Sequence, residues 1–256
     1  MPSKVTAKAQ LAAAHTKNIA AFFRQQKLLV MRALNHRTLS ALPARALEAP
    51  PFTISVEEWI KIWSNVVRQT DAQLKAVIAA AEVDGLHAGA SNFKAAVKGP
   101  IPASGTFDLA NPRAVAWFQQ NGGSVDYIKG IQDTTGRQIK TIIESAITEG
   151  KSYGEVATGI RGAFDGMSRD RAETIATYEI GNAYEEGNMQ FAQSLKDDGV
   201  VMVKQWNCDS NPCDVCRANQ DEGLIPIDQP HQSGDDQPQA HPHCYCWETY
   251  EQAQGD

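Results

Sequence analysis

The sequence predicts a mainly α-helical protein with a small C-terminal antiparallel β module, an α+β class. Three observations carry this. Apolar residues recur at three-to-four spacing as far as about Leu195, alternation of period two sets in after Gly199, and all five cysteines fall between Cys208 and Cys246. At 256 residues, with 42% hydrophobic and 21% charged content, the chain can bury one good core or two small ones.

The first helix is marked by Leu11, Ile19, Phe22, Leu29 and Ala33, with basic residues largely between them. Pro43, Pro50 and Pro51 then break the pattern, because proline cannot continue a helix and constrains the residue before it. Residues 1–52 are therefore expected to form a basic helical arm and a proline-rich linker. A second helix opens with a capping box, Ser55 and Glu58, and is expected to carry Val56, Ile60, Trp63, Val67, Leu74, Val77 and Ala81 on one stripe. From Gly85 to Gly105 the chain is rich in Gly, Ala, Ser and Pro, which predicts a loop with a short helix near Phe93 to Val97 and a domain boundary, so 53–104 reads as long helix plus connection.

Residues 105–198 read as a helical body. Asn111 and Pro112 start one helix that Gly122 and Gly123 end, and Asp133 starts another, with Ile139, Ile142, Ile143 and Ile147, that Gly150 ends. Ser152 and Glu155 form a second capping box for a helix bearing Val156, Ile160 and Phe164, and Ser168 is expected to begin a separate long helix. Glu179 falls on that last helix's apolar stripe, where a carboxylate must be hydrogen-bonded, paired or protonated. A structural role, accepting hydrogen bonds from a neighbouring loop, is expected for it. Residues 199–256 form the β module, with strands in "VVMVKQW", "LIPI" and "CYCWETY" and the Cys-x-x-Cys on a turn.

Charge is uneven along the chain. Residues 1–50 carry eight Lys or Arg against Glu48 alone, whereas 194–256 carry twelve acids against Lys196, Lys204 and Arg217. The basic arm either meets nucleic acid or an acidic partner, or forms one solvated face. An acidic metal module opposes phosphate contact and so speaks against a nucleic-acid-binding zinc regulator. No apolar run is long enough to span a bilayer, and the lysines of "KVTAKAQLAAAH" make a poor signal peptide, so the chain is expected to be made and kept in a reducing cytoplasm without membrane contact.

That compartment, and an odd count of five cysteines, argue against a disulfide framework. Zinc prefers tetrahedral thiolate and imidazole ligands. Cys213 and Cys216 supply one pair, and His241 with Cys244 or Cys246 supplies the other; which of the last two ligates is open. The site is expected to be structural, since four or five soft ligands close the shell without water. "PCDVC" matches half of a zinc deaminase signature, but His87 is followed by Ala88 and Gly89 rather than by a glutamate two residues on. The enzyme alternative is a zinc-dependent hydrolase or transferase using Glu179 or Glu222 as base.

The ordered segments "FDLANPRAVAWF", "GIQDTTGRQIKTII", "EGKSYGEVATGIRGAF", "RAETIATYE", "KQWNCDSNPCDVC" and "AHPHCYC" together resemble the phage minor head proteins, the Mu F-like head morphogenesis family, over about residues 105–247. The resemblance implies a non-enzymatic virion protein, present in several copies near the portal, that assists head assembly and DNA packaging or ejection. Its implied partners are the portal, other head proteins and, through the basic arm, packaged DNA. By position it puts the family's metal-like residues on Cys213, Cys216, His241, Cys244 and Cys246 and its helical acid on Glu179. Two departures stand out: Thr177 and Tyr178 occupy the family's usual Arg-Thr, and Tyr245 its usual Arg, which removes the natural cationic partners of Glu179.

Overall fold

The computed structural model describes residues 4–41, 52–96, 112–121 and 125–253. Five helices come first: α1 (Lys4–Ala41), α2 (Val56–Ala96), α3 (Pro112–Asn121), α4 (Val125–Glu149) and α5 (Tyr153–Asp197). They are followed by β1 (Met202–Asn207), a short α6 (Asp214–Asp221), β2 (Ile225–Pro226) and β3 (Trp247–Gln252). The strands make one antiparallel sheet in the order β2-β1-β3, with Lys204 opposite Ile225 on one side and Tyr250 on the other. None of the described helices is long and apolar enough to cross a membrane. The linker prolines, Val97, Asn111, Gly122 and Gly123 lie outside the described residues.

Two compact units divide the chain. The first comprises Met1–Thr16, Ile78–Gly122 and Glu173–Asp256, and the second Lys17–Val77 and Gly123–Ala172. In the second unit, Val30 and Leu34 of α1, Trp59 and Val66 of α2, Ile139 and Ile143 of α4, and Val156, Ile160 and Phe164 of α5 are buried together. Both predicted capping boxes are present here. The Ser55 amide donates to Glu58 and the Glu58 amide to the Ser55 hydroxyl, at 3.0 and 3.2 Å, and Ser152 and Glu155 repeat the exchange.

Four expectations are corrected. The Gly85–Gly105 loop is, as far as Ala96, a continuation of α2. Its glycines are contact points: a Cβ on Gly89 would lie 1.9 Å from the Tyr184 carbonyl oxygen, and one on Gly187 of α5 would lie 2.2 Å from that of Leu86. Glycine thus lets α2 and α5 meet backbone to backbone inside the first unit, and this outweighs the helix cost of about 1 kcal/mol per glycine. Likewise α4 begins at Val125, ahead of Asp133, and Gly136 within it accommodates the Trp63 indole of α2, whose Nε1 would stand 2.4 Å from a Cβ. No break occurs at Ser168, because α5 runs unbroken from Tyr153 to Asp197.

The fourth correction concerns the basic arm. Ile19, Phe22 and Phe23 of α1 are fully buried, and Val30, Met31 and Leu34 belong to the second unit's core. In the first unit Lys8 is buried and donates to Glu185 at 2.7 Å and to the Cys246 carbonyl at 2.9 Å. The helix is part of the fold, since its amphipathic stripe finds cover within the chain.

Candidate metal centre

The first unit places the cysteines at three points: on the chain leaving β1, at the start of α6, and on the turn entering β3. Cys208 follows β1 directly. Cys213 is the N-cap of α6, its sulfur accepting from the Cys216 amide at 3.4 Å, so the Cys-x-x-Cys occupies a helix start where a turn was expected. The helix start follows from Cys213 standing in extended conformation (φ −72°, ψ 169°) and supplying the acceptor that the first free N–H groups need. His241 and Cys244 lie on a tight turn closed by the Cys244 amide bonding the His241 carbonyl at 3.1 Å. His243 within it has φ 64°, a conformation rare outside glycine, and its ring reaches Thr174 at 3.2 Å. Cys244 and Cys246 precede β3 rather than lying in it.

These turns bring the side chains together. His241 Nε2 lies 3.2 Å from Cys213 Sγ and 3.8 Å from Cys216 Sγ, and Cys216 Sγ lies 3.8 Å from Cys244 Sγ. Among the described residues two groups have all their donor atoms within 4.8 Å of one another: Cys213, Cys216 and His241, and Cys216, Cys244 and Cys246. All five sequence-predicted residues are therefore gathered, with Cys216 common to both groups. Glu179 and Glu222 belong to neither.

The donor chemistry fits a tetrahedral zinc ion. A tetrahedron with Zn–S bonds near 2.3 Å has edges of about 3.8 Å, the separation found at Cys216. Nδ1 of His241 donates to the Pro242 carbonyl at 2.8 Å, which leaves Nε2 with its lone pair toward the sulfurs, the tautomer a metal ligand needs. The electrostatics divide the thiols. The Cys216 amide holds Cys213 below the ordinary thiol range, and hydrogen bonding, first from Cys244 and then from the Asp209 amide, pulls Cys246 down to about 5. Burial and Cys213 push Cys216 up, and the proton Cys244 donates to Cys246 pushes Cys244 up. Cys208, raised to about 12 by burial, is held by its own contact with the Cys216 carbonyl at 3.0 Å.

Beneath the cysteines lies a buried polar layer. His231, Glu185, Glu248 and Lys204 are all within 2% of full burial. His231 bridges Glu222 through Nδ1 at 2.9 Å and Glu248 through Nε2 at 2.6 Å, and Tyr250 donates to Glu248 at 3.2 Å. Desolvation raises the Glu248 carboxyl and lowers the Lys204 ammonium, whose Nζ donates to the Asp236 carbonyl. Sequence reading missed this layer because single Lys, His and Glu residues carry no periodic signal. The alternation of Lys204 and Trp206 into the sheet's covered face was its only trace.

The expected partner of Glu179 is corrected too. In place of a neighbouring loop, Glu82 of α2 faces it, and burial together with Glu82 raises Glu179 to about 8. Tyr178 is bonded to Asn182. Two carboxyls sharing one proton solve the burial that the missing arginines would have solved by charge. The signal was present, since Glu82 follows Ile78 by one turn on the buried stripe of α2.

Chain order and site together define a helical body closed by a cysteine-rich β module. Residues 137–249, from within α4 to within β3, match the family model of Phage Mu protein F like protein. This match, just under half of the chain, supports a Mu F-like phage head morphogenesis family, a structural family, and a phage head-related protein. No curated protein and no solved structure matches the chain.

Proposed function

We propose that the protein is a minor head protein of the phage particle, carried in several copies near the portal, where it assists head assembly and the packaging or ejection of DNA. The family match over residues 137–249 is the observation that carries this reading. The cysteine cluster serves it as a structural zinc centre. Cys213, Cys216 and His241 hold the ion, with Cys244 or Cys246 closing the shell, and the bound metal ties together three segments that the three-stranded sheet alone holds weakly. Lys17, Arg24 and Arg32 on the exposed side of α1 are the residues offered to an acidic partner surface or to packaged DNA.

Quantitative mass spectrometry of purified particles, paired with a pulldown against the portal protein, tests the reading. The expected result is a chain present at a few copies per particle and retained by the portal. Absence from procapsids and mature particles alike, with no capture by the portal, would overturn it.

A further inference from the structure

One buried cation ties the start of α1 to the segment that carries the last cysteines. Lys8 donates to the Glu185 carboxylate of α5 at 2.7 Å and to the Cys246 carbonyl at 2.9 Å. A buried ammonium is tolerated only while it is paired and hydrogen-bonded, so both bonds bear on how the helix docks. Glu185 in turn accepts from the Glu248 amide at 3.3 Å and from Asn188 at 3.1 Å. The main chain is thus gripped at two points where it passes from the cysteines into β3, at the Cys246 carbonyl by Lys8 and at the Glu248 amide by Glu185.

Apolar burial does little for this stretch of α1. Among the described residues from Thr6 to Thr16, Ala12 is the one buried apolar side chain, and the other buried ones are Lys8 and His15, whose Nε2 meets Asp84 at 2.9 Å. Further along, the same helix buries Ile19, Phe22 and Phe23 completely. Docking at the helix start therefore depends on polar partners in defined positions, and the Cys246 carbonyl is such a partner only while the turn entering β3 is ordered. Cys244 and Cys246 form one of the two donor groups with Cys216, so a bound ion fixes that turn.

We infer that Lys8 is a metal-linked latch: with the ion bound, the Cys246 carbonyl is held in place for Lys8 and the first turns of α1 dock in the first unit, and without the ion this segment comes free. The inference rests on the zinc reading above, and it holds whichever of Cys244 and Cys246 closes the shell. Linkage is reciprocal, so docking of the segment tightens metal binding by the same factor by which the metal tightens docking.

The test is amide hydrogen exchange on the full chain, zinc-loaded and after chelation. Exchange at residues 6–16 is expected to speed up by about tenfold or more on chelation, while Val30 to Leu34, in the second unit's core, keep their protection. Unchanged protection of 6–16 in a preparation that has measurably lost its zinc would overturn the latch and leave the metal centre standing. Loss of protection that extends to Val30 and Leu34 would overturn it as well, because the metal would then hold the whole fold. A preparation that binds no zinc would remove the zinc reading and the latch with it. As a second arm, Lys8→Met with its helical circular dichroism retained is expected to bind zinc about tenfold or more weakly in competition with a chromophoric chelator. Unchanged zinc affinity in that variant would break the reciprocity and overturn the role of Lys8.

Discussion

The two halves of α5 solve opposite problems. From Tyr153 to Ala172, in the second unit, the helix buries Val156, Ile160 and Phe164 in an apolar core. From Glu173 to Asp197, in the first unit, it buries Glu179, Glu185, Asn188 and Gln190 among apolar residues. The first arrangement is stabilised by area removed from water, which is tolerant and nearly independent of pH. The second depends on each polar group finding its partner, and one lost partner leaves a buried charge. The first unit is therefore the more specific and the more fragile part of the molecule.

The comparison can be broken most sharply at the cysteines. Cys216→Ser removes the sulfur common to both groups of donors and is expected to release the metal and unfold residues 199–253, a loss on the order of 10 kcal/mol in metal-linked folding. Loss of the module's amide-exchange protection, with the second unit still protected, is the readout. Next comes Lys8→Met, which strands Glu185 and the Cys246 carbonyl and should cost about 3–5 kcal/mol in denaturant unfolding. It also predicts that deleting the N-terminal helix destabilises the first unit, contrary to the behaviour of a detachable arm. Phe164→Ala is the apolar counterpart, at about 3–5 kcal/mol through a cavity, with the β module left intact.

A smaller effect separates the units by pH. Glu179 has its carboxyl raised from the ordinary 4.5 to about 8, so the folded chain keeps a proton that the unfolded chain releases. Its contribution is full below about pH 4.5 and is lost progressively as the pH rises through about 8. Glu179→Gln, which keeps a donor to Glu82, should flatten this part of the stability profile. A thermal-melt series in which the wild type and the variant fall in parallel over that range would contradict the shared proton. Ser55→Ala, which removes one capping bond in the second unit, should be the mildest change, about 1 kcal/mol, and insensitive to chelator.

How far the fold was legible in the sequence follows the same division. Helix starts with capping boxes, the stop at Gly150 with its φ of 65° and the alternation of β1 were readable because local chemistry decides them. Gly85, Gly89 and Gly136 were misread as breaks or left unused because their role is long-range: each faces a neighbour that sequence order does not reveal. The gathering of Cys213, Cys216, His241, Cys244 and Cys246 was legible from spacing and from the family resemblance, with the choice between Cys244 and Cys246 left open. Lys8 and Glu82 were not, since each matters through a partner far along the chain, Glu185 and Glu179, and neither was His231, whose bonds to Glu222 and Glu248 follow no local period.

Zinc content of the purified protein, measured together with its unfolding before and after chelation, bears most directly on the claim that a metal centre organises the first unit. The account predicts one zinc per chain and loss of the β module's tertiary signal on chelation, with the helical signal of the second unit retained. A metal-free preparation whose β module is stable and unchanged by chelator would contradict it.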